Sequence, residues 1–372
     1  MFRATIWPMV EKENLYGRTR SELEVCASQL GLPAYRGRQI YRWIYSRSAT
    51  DFDSMTDLPR AVRGKLAEHY CVRPPAVIGR HRSHDGTVKF LLGLEEAKKV
   101  EAVYIPDNPE NGGKRAVRHT VCLSTQVGCP LKCTFCYSGT VLFARNLTVG
   151  EILGQFGAVR KALLAPTARV NVVFMGMGEP LLNSQAVLSS LAVLTDPDGY
   201  AVSPRRITVS TAGLAEELER FAKAGPPVGL AVSLHATTND TRGRMMPINR
   251  KYPLEALLET ARRLPLPRRR KITFEYVLLG GENDSEADAH RLAGLLRGMP
   301  AKVNLIAYNP WPGSPHRAST TEATGRFLEI LSGAGYTASL RRSRGDDILA
   351  ACGQLAGTDG PAPGAISSSD AG

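Results

Sequence analysis

The sequence predicts an α/β protein: a parallel sheet curled into a barrel or open barrel of six β/α units, a partial (β/α)6 barrel. A small N-terminal helical domain and a short β extension precede it. Three observations carry this reading. From residue 117 onward, β-branched runs alternate with helical stretches. Before residue 77 the apolar spacing is helical, and from 77 to 105 it is that of short strands. The chemically unusual residues fall where the barrel strands end, and parallel barrels carry their active sites at the C-terminal strand ends.

Taken in order, Ser21 with Glu24 in capping-box position predicts the start of the first helix, and Gly31-Leu32-Pro33 its end. Residues 35–45 predict a second helix with Ile40, Trp43 and Ile44 toward the core. There Arg36, Arg38 and Arg42 interleave with Tyr41, Trp43 and Tyr45, which suits either an RNA-contacting face or a solvated one. Pro59 opens a third helix. Residues 77–80, 87–92 and 100–105 read as strands, and Glu101 stands in the last of them as either an edge residue or a carboxylate aimed at a pocket. The polar loop 107–115 is the domain connection. Barrel strands are expected at 117–124, 170–175, 206–210, 228–234, 272–279 and 303–308, with helices near 148–161, 215–224, 254–263, 286–297 and 321–333. The expected division is 1–75 helical, 76–115 β extension and loop, 116–356 barrel, and 357–372 a disordered Gly/Ala/Ser/Pro-rich tail.

The chain has 372 residues, and Lys+Arg 47 against Asp+Glu 35 gives a net charge of +12, which favours a polyanionic partner such as nucleic acid. Seven cysteines, an odd number clustered in a chain without a signal-peptide pattern, point to metal or redox chemistry in the cytoplasm and away from a disulfide framework. No apolar run is long enough to span a membrane, so a soluble chain is expected.

The sharpest motif is Cys129-Pro-Leu-Lys-Cys133-Thr-Phe-Cys136. Three thiols at this spacing suit a [4Fe–4S] cluster, which ordinarily takes one Cys per iron, so one iron is left open for chemistry. A zinc site or a buried thiol group is the alternative, but zinc asks for a fourth ligand nearby, and none follows at ligand spacing.

With Phe135 before the last Cys and a Gly178-Glu179-Pro180 turn after the next strand, the chain resembles the radical S-adenosylmethionine (SAM) superfamily. Cys122-Leu-Ser-Thr-Gln-Val-Gly-Cys129, Ser233-Leu-His-Ala236, Met246-Pro-Ile-Asn249, Tyr308-Asn-Pro310 and the run from Arg341 to Leu355 make it similar to the RlmN/Cfr family of RNA methyltransferases. The resemblance implies that Cys129, Cys133 and Cys136 hold the [4Fe–4S] cluster and that Gly178, Glu179, Ser210, Ser233, Leu234, His235 and Asn309 bind SAM. It implies Cys352 as the methyl carrier, Cys122 as the resolving thiol through a transient disulfide with Cys352, and Glu101 as proton acceptor. The implied activity is methylation of C2 of an adenine in 23S rRNA and in tRNA, with two SAM consumed. The implied electron donor is a flavodoxin or ferredoxin, with no membrane partner and a monomeric chain. Each residue has a plainer reading beside this one: Ser210 a strand terminator, His235 a satisfied strand-end histidine, Cys352 a small buried hydrophobe, which is also the reading for Cys26 and Cys71.

Other functions stay open at this stage: methylation at adenine C8, as in Cfr; a methylthiotransferase, for which a second Cys triad is missing; or an RNA-binding module with a structural metal. Phosphate-holding candidates are Arg242/Arg244, Arg250/Lys251 and Arg341/Arg342/Arg344; Arg268 to Lys271 belongs to solvent or the barrel bottom. Two departures from relatives are Tyr137 after the cluster motif and a longer loop after Ile105, containing Lys114 and Arg115.

Overall fold

The computed structural model describes residues 12–106, 119–165, 168–267 and 270–357. The loop expected at 107–115, Lys114 and Arg115, Arg268, and all of the expected tail but Gly357 lie outside these.

A short parallel pair, β1 (Glu13–Asn14) with β2 (Tyr70–Cys71), ties together the N-terminal helices α1 (Arg20–Gln29), α2 (Tyr35–Tyr41) and α3 (Arg60–His69). The cap of α1 is Thr19, not Ser21. Thr19 Oγ1 accepts from Glu22 N at 3.4 Å and Glu22 returns a carboxylate oxygen to Thr19 N at 2.7 Å, so the same S/T-x-x-E signature operates two residues earlier. That register buries Leu23, Cys26 and Ala27.

Helix α2 runs into a single π turn at Arg42–Ser46. The wider turn rotates the following side chains, so Tyr41 and Tyr45 are buried along with Ile40 and Ile44, while Trp43 is only half-buried. Two of the three aromatics expected on an RNA face are therefore core. Tyr45 packs edge-on against Tyr41 and Tyr200, and Tyr16 and Tyr200 share a hydroxyl hydrogen bond of 3.0 Å, which joins the helical domain to the barrel. Burying each such ring is worth about 1.5–3 kcal/mol. Arg38 and Arg42 both bond Asp198, at 2.7 and 2.8 Å, and Arg20 lies 3.5 Å from it. These arginines dock the helices onto the loop that carries Asp196 and Asp198, and that contact is what the structure assigns them.

The main sheet has ten strands in the order β14-β13-β12-β11-β10-β9-β6-β5-β4-β3. Its parallel part is β6 (His119–Cys122), β9 (Val170–Phe174), β10 (Ile207–Thr211), β11 (Gly229–Ser233), β12 (Ile272–Leu278), β13 (Ala301–Ala307) and β14 (Thr337–Arg341). This is the partial barrel that the alternation of strands and helices predicts, with a seventh strand added at its edge. β14 escaped the sequence reading because none of its residues is buried, so it carries no buried apolar face. The antiparallel β3 (Ala76–Arg82), β4 (Val88–Gly93) and β5 (Lys99–Pro106) continue the same sheet past β6.

Helices α4 (Val149–Leu163), α6 (Ala215–Ala224), α8 (Leu254–Arg263), α9 (Glu286–Leu295) and α10 (Thr321–Gly333) match the expected stretches, and α5 (Ser184–Thr195) and the short α7 (Asn239–Met245) are additional. One apolar core runs beneath both the helical domain and the barrel, which is why the two pack as one body.

The docking contact is testable. Asp198→Ala leaves three guanidinium groups without their shared carboxylate, so the N-terminal helices should become more sensitive to limited proteolysis. High salt should produce the same sensitivity in the wild type, because exposed ion pairs are screened. Equal cleavage of both proteins at low salt would show that the tyrosine contacts suffice.

Candidate active site

At the C-terminal strand ends a cavity opens that is lined by Cys129, Cys133, Cys136, Gly176, Gly178, Glu179, Ser210, Ser233, His235, Asn309 and Cys352, among others. The three motif cysteines sit on a loop closed by the small hairpin of β7 (Gln126–Val127) and β8 (Arg145–Asn146). Gly128 makes the entry turn with φ of +73°, and a Cβ there would lie 2.5 Å from the Leu142 carbonyl oxygen. Beneath the loop lies a separate apolar cluster, including Met245, Met246, Val277 and Tyr308, against which Cys133 and Phe135 pack.

Burial pushes the Cys129 thiol up to about 12 and those of Cys133 and Cys136 upward as well, with a nearby sulfur adding to each. Such thiols ionise only when a strong cationic centre replaces water. Among the described residues no three His, Cys, Asp or Glu side chains converge as one metal ion requires. Three thiols lining one cavity suit a cluster that takes one Cys per iron, whereas a structural zinc site asks for a fourth ligand.

Glu179 is buried and heavily bonded. Its carboxylate accepts from Leu181 N at 3.0 Å and Ala212 N at 2.7 Å, and its own N–H is held by Gln126 Oε1 at 2.8 Å. Burial raises its pKa to about 7 against those backbone hydrogen bonds, so a ligand cation in the cavity would draw out the charged form. His235 has a left-handed backbone (φ +57°) and accepts from Val277 N through Nδ1 at 3.0 Å. Burial, with Arg242 nearby, lowers its pKa to about 3, so the ring is neutral and its proton resides on Nε2. It is thus a satisfied strand-end histidine that still lines the cavity. Leu234 does not line it; its side chain is core and its carbonyl accepts from Arg242 Nε at 3.1 Å.

Arg242, a phosphate candidate from sequence, is fully buried. It also bonds the carbonyls of Ala212 (2.6 Å) and Ser233 (3.2 Å) and the side chain of Asn249 (3.0 Å). Its role is to satisfy strand-end carbonyls, and no phosphate can reach it. Arg244 is exposed and pairs with Asp240.

Cys352 sits on an arm, residues 345–357, and lines the cavity together with Gly353. Asn309 Nδ2 donates to the Cys352 carbonyl at 3.1 Å, and its Oδ1 accepts from Ser343. Tyr137 N donates to the Gly353 carbonyl at 2.7 Å, and the Tyr137 ring stacks on Trp311 with centroids 4.9 Å apart. The departure at Tyr137 therefore supports the arm. Cys352 also lines a second, smaller cavity with Cys122, Met175, Asn309, Arg341 and Arg344. Cys122 is buried, which lifts its thiol to about 12, with Cys352 adding and Arg341 opposing.

Sequence reasoning gave no role to Glu275. It is buried on β12 and lines the first cavity, with Oε1 accepting from Asn304 Nδ2 at 3.0 Å and Oε2 lying 3.8 Å from Arg341. A Glu in an apolar strand is the signal that could have found it, and the same signal was used for Glu101. Glu101 itself lies behind the cavities. Its carboxylate is 3.0 Å from Lys89 and accepts from Ala356 N and Gly357 N.

With that geometry in hand, residues 123–293 match the model of the radical SAM superfamily and residues 13–72 that of the "Ribosomal RNA large subunit methyltransferase N-terminal domain". A protein of Gluconobacter oxydans named "Dual-specificity RNA methyltransferase RlmN" is 44% identical over 92% of this chain and 85% of its own length. The protein of that name from Rhodospirillum rubrum is 47% identical over 92% of this chain and 80% of its own. The chain belongs to the RlmN family. A solved radical SAM methyltransferase from Sphaerobacter thermophilus superposes with a TM-score of 0.86 at 42% identity, covering 93% of this chain and all of that one. RlmN membership brings with it a [4Fe–4S] cluster and SAM as the family's chemistry. Among the described residues no helix is long and apolar enough to cross a membrane.

Gly178 is the backbone position on which the cavity wall turns, with φ of +94° and a would-be Cβ 2.4 Å from Gln126 Cβ. Gly178→Ala should cost about 1–3 kcal/mol of stability from backbone strain and displace the Gln126–Glu179 contact. Urea unfolding beside SAM binding measures both effects; wild-type values for each would show that the turn tolerates a side chain.

Proposed function

We propose that this chain methylates C2 of adenine in RNA, with 23S rRNA and tRNA as substrates, and that Cys352 carries the methyl group to the base. The observation that carries the reading is the position of Cys352 on the wall shared by two cavities, facing the three-thiol cavity on one side and Cys122 on the other. A carrier must reach both the place where it is loaded and the thiol that later frees its product.

In this reading Cys129, Cys133 and Cys136 hold the [4Fe–4S] cluster. Gly178, Glu179, Ser210, Ser233, Leu234, His235 and Asn309 form the SAM site, Leu234 through its backbone alone. When bound, the cluster and SAM supply a methyl group in one round and a 5′-deoxyadenosyl radical in another. Glu179 meets the ligand's ammonium group, His235 offers an N–H from Nε2, and the apolar cluster under the Cys loop keeps water out. Cys352 carries the methyl as a thioether. Cys122 as thiolate attacks the Cys352 sulfur and breaks its bond to the carbon now joined to RNA. That carbon leaves with the electron pair and takes up a proton to complete the methyl group. The Cys122–Cys352 disulfide left behind is reopened by an external reductant. Glu101 serves as proton acceptor only if it exchanges its present contacts with Lys89 and the arm. A flavodoxin or ferredoxin is the proposed electron donor for a monomeric, cytoplasmic enzyme. Residues 1–75 form the accessory helical domain, 76–115 the extension, 116–356 the catalytic barrel and 357–372 a tail.

Three outcomes test this. Cys352→Ala should abolish RNA methylation and leave the cluster spectrum intact. Cys122→Ala should accumulate a protein–RNA adduct through Cys352, seen as a mobility shift on denaturing gels; turnover without an adduct rules out the resolving role. Mass spectrometry of the product must place the methyl on C2, because a C8 product gives the chain the other specificity.

The raised Glu179 pKa predicts a pH dependence. Below about 7 the carboxyl takes up a proton and cannot pair with an ammonium group, so SAM affinity should fall as pH is lowered from about 8 to about 6. Glu179→Gln should bind SAM weakly and lose that pH dependence. Titration calorimetry on the cluster-loaded protein decides it, and a flat wild-type profile would sink the pairing.

A further inference from the structure

Lys89 on β4 and Glu101 on β5 are charged side chains with only 2% and 1% of their surface exposed. Removing both from water costs several kcal/mol per ion, so such a pair is poor evidence of stability for its own sake. The ammonium lies 3.0 Å from Glu101 Oε1 without a hydrogen-bonding angle, so that contact acts through charge. What the two groups do besides pairing is more informative. Lys89 Nζ donates a hydrogen bond to the Leu349 carbonyl at 3.3 Å. Glu101 Oε2 accepts from Ala356 N at 2.8 Å and from Gly357 N at 2.9 Å.

All three contacts go to backbone groups of one arm, on either side of Cys352. Both contact points are reversals of the chain, with left-handed backbone at Leu349 (φ +52°) and Gly357 (φ +69°). The β3–β4 turn adds outer contacts: Asp85 accepts from Gly345 N at 3.1 Å, and His84 Nδ1 lies 2.8 Å from Asp347. From the barrel side, Asn309 and Tyr137 hold the carbonyls of Cys352 and Gly353. The backbone is thus gripped from two sides, while the Cys352 side chain faces the cavities.

We propose that Lys89 and Glu101 are positioning residues: a buried ion pair that pins both ends of the arm and thereby sets where Cys352 can be loaded. The inference rests on the reading of Cys352 as methyl carrier. It differs from a proton-acceptor role for Glu101 in the step affected. A proton acceptor acts after RNA has joined the protein, whereas a pin acts before RNA is present, and it makes Lys89 as important as Glu101.

The test uses the full cluster-loaded chain with SAM and no RNA, reading S-methylation of the Cys352 peptide by mass spectrometry in the wild type, Lys89→Met, Glu101→Gln and Ala356→Pro. The last variant deletes a donor to Glu101 and leaves both charges in place, so it decides the matter if the charge variants fail to fold. Hydrogen exchange at 345–357 supplies a readout that needs no cluster. The expected result is at least a tenfold slower loading of Cys352 in every folded variant. Protection of the arm amides should be lost, while SAM binding and the cluster spectrum are kept. Wild-type loading rates in the folded variants would overturn the positioning alone. A defect confined to Glu101→Gln and seen only after RNA is added would overturn it in favour of proton transfer. A wild-type chain that never carries a methyl on Cys352 would overturn the carrier reading and, with it, this one.

Discussion

The site depends on how the chain satisfies the carbonyls that parallel strands leave at their C-terminal ends. Arg242 does most of this, bonding the carbonyls of Ala212, Ser233 and Leu234 from a fully buried position. Burial lowers its pKa to about 10, still well above neutrality, so the guanidinium stays charged and its bonds to those carbonyls are the stronger for it. Because β10 and β11 are locked at this point, Ser233, His235 and the Ala212 N–H that meets Glu179 are fixed relative to one another. A planar donor fork on a short helix sets the cavity's geometry before any ligand arrives.

The extension β3–β5 gains meaning from the same logic. As a sequence it reads as an appendage before the barrel, but it continues the barrel's sheet, and its Lys89, Glu101, Asp85 and His84 hold the Cys352 arm. The fold thus splits the work. The barrel builds the cavity from strand ends, and the antiparallel extension holds the segment whose Cys352 lines both cavities.

Legibility follows from the range of the interactions involved. A helix with a strong cap, α4 for example, is legible because its signals are local: Thr148 and Glu151 form a capping box. The grouping of Cys129, Cys133 and Cys136 on one loop and the glycine turns are legible for the same reason. The partners of charged residues are not. Arg242 looks like any surface arginine in a basic run, and only the fold turns it inward. Arg38 and Arg42 sit on an exposed helix face, yet Asp198 lies far along the chain. The π turn at Arg42–Ser46 has no sequence signature, and it moves Tyr45 from the expected outer face into the core. β14 is specified by its pairing with β13 more than by its own residues.

One low-dielectric environment raises the thiols of Cys122, Cys129, Cys133 and Cys136 alike, so each is held as a neutral thiol until something positive reaches it. For the three loop cysteines that partner must come from outside the chain, because no basic side chain offsets the burial fully; Arg242 helps only Cys133. Beside Cys122 a cation is already present, although burial still holds the thiol at about 12. Arg341 faces it across the second cavity, and that guanidinium is itself held charged by Cys352 first and by Glu275. The same cation therefore stands beside both outlying sulfurs, with Glu275 able to neutralise it when neither is ionised. Burial alone would make every sulfur inert. Against that burial, the Arg341 guanidinium is the positive charge this chain sets beside Cys122 and Cys352.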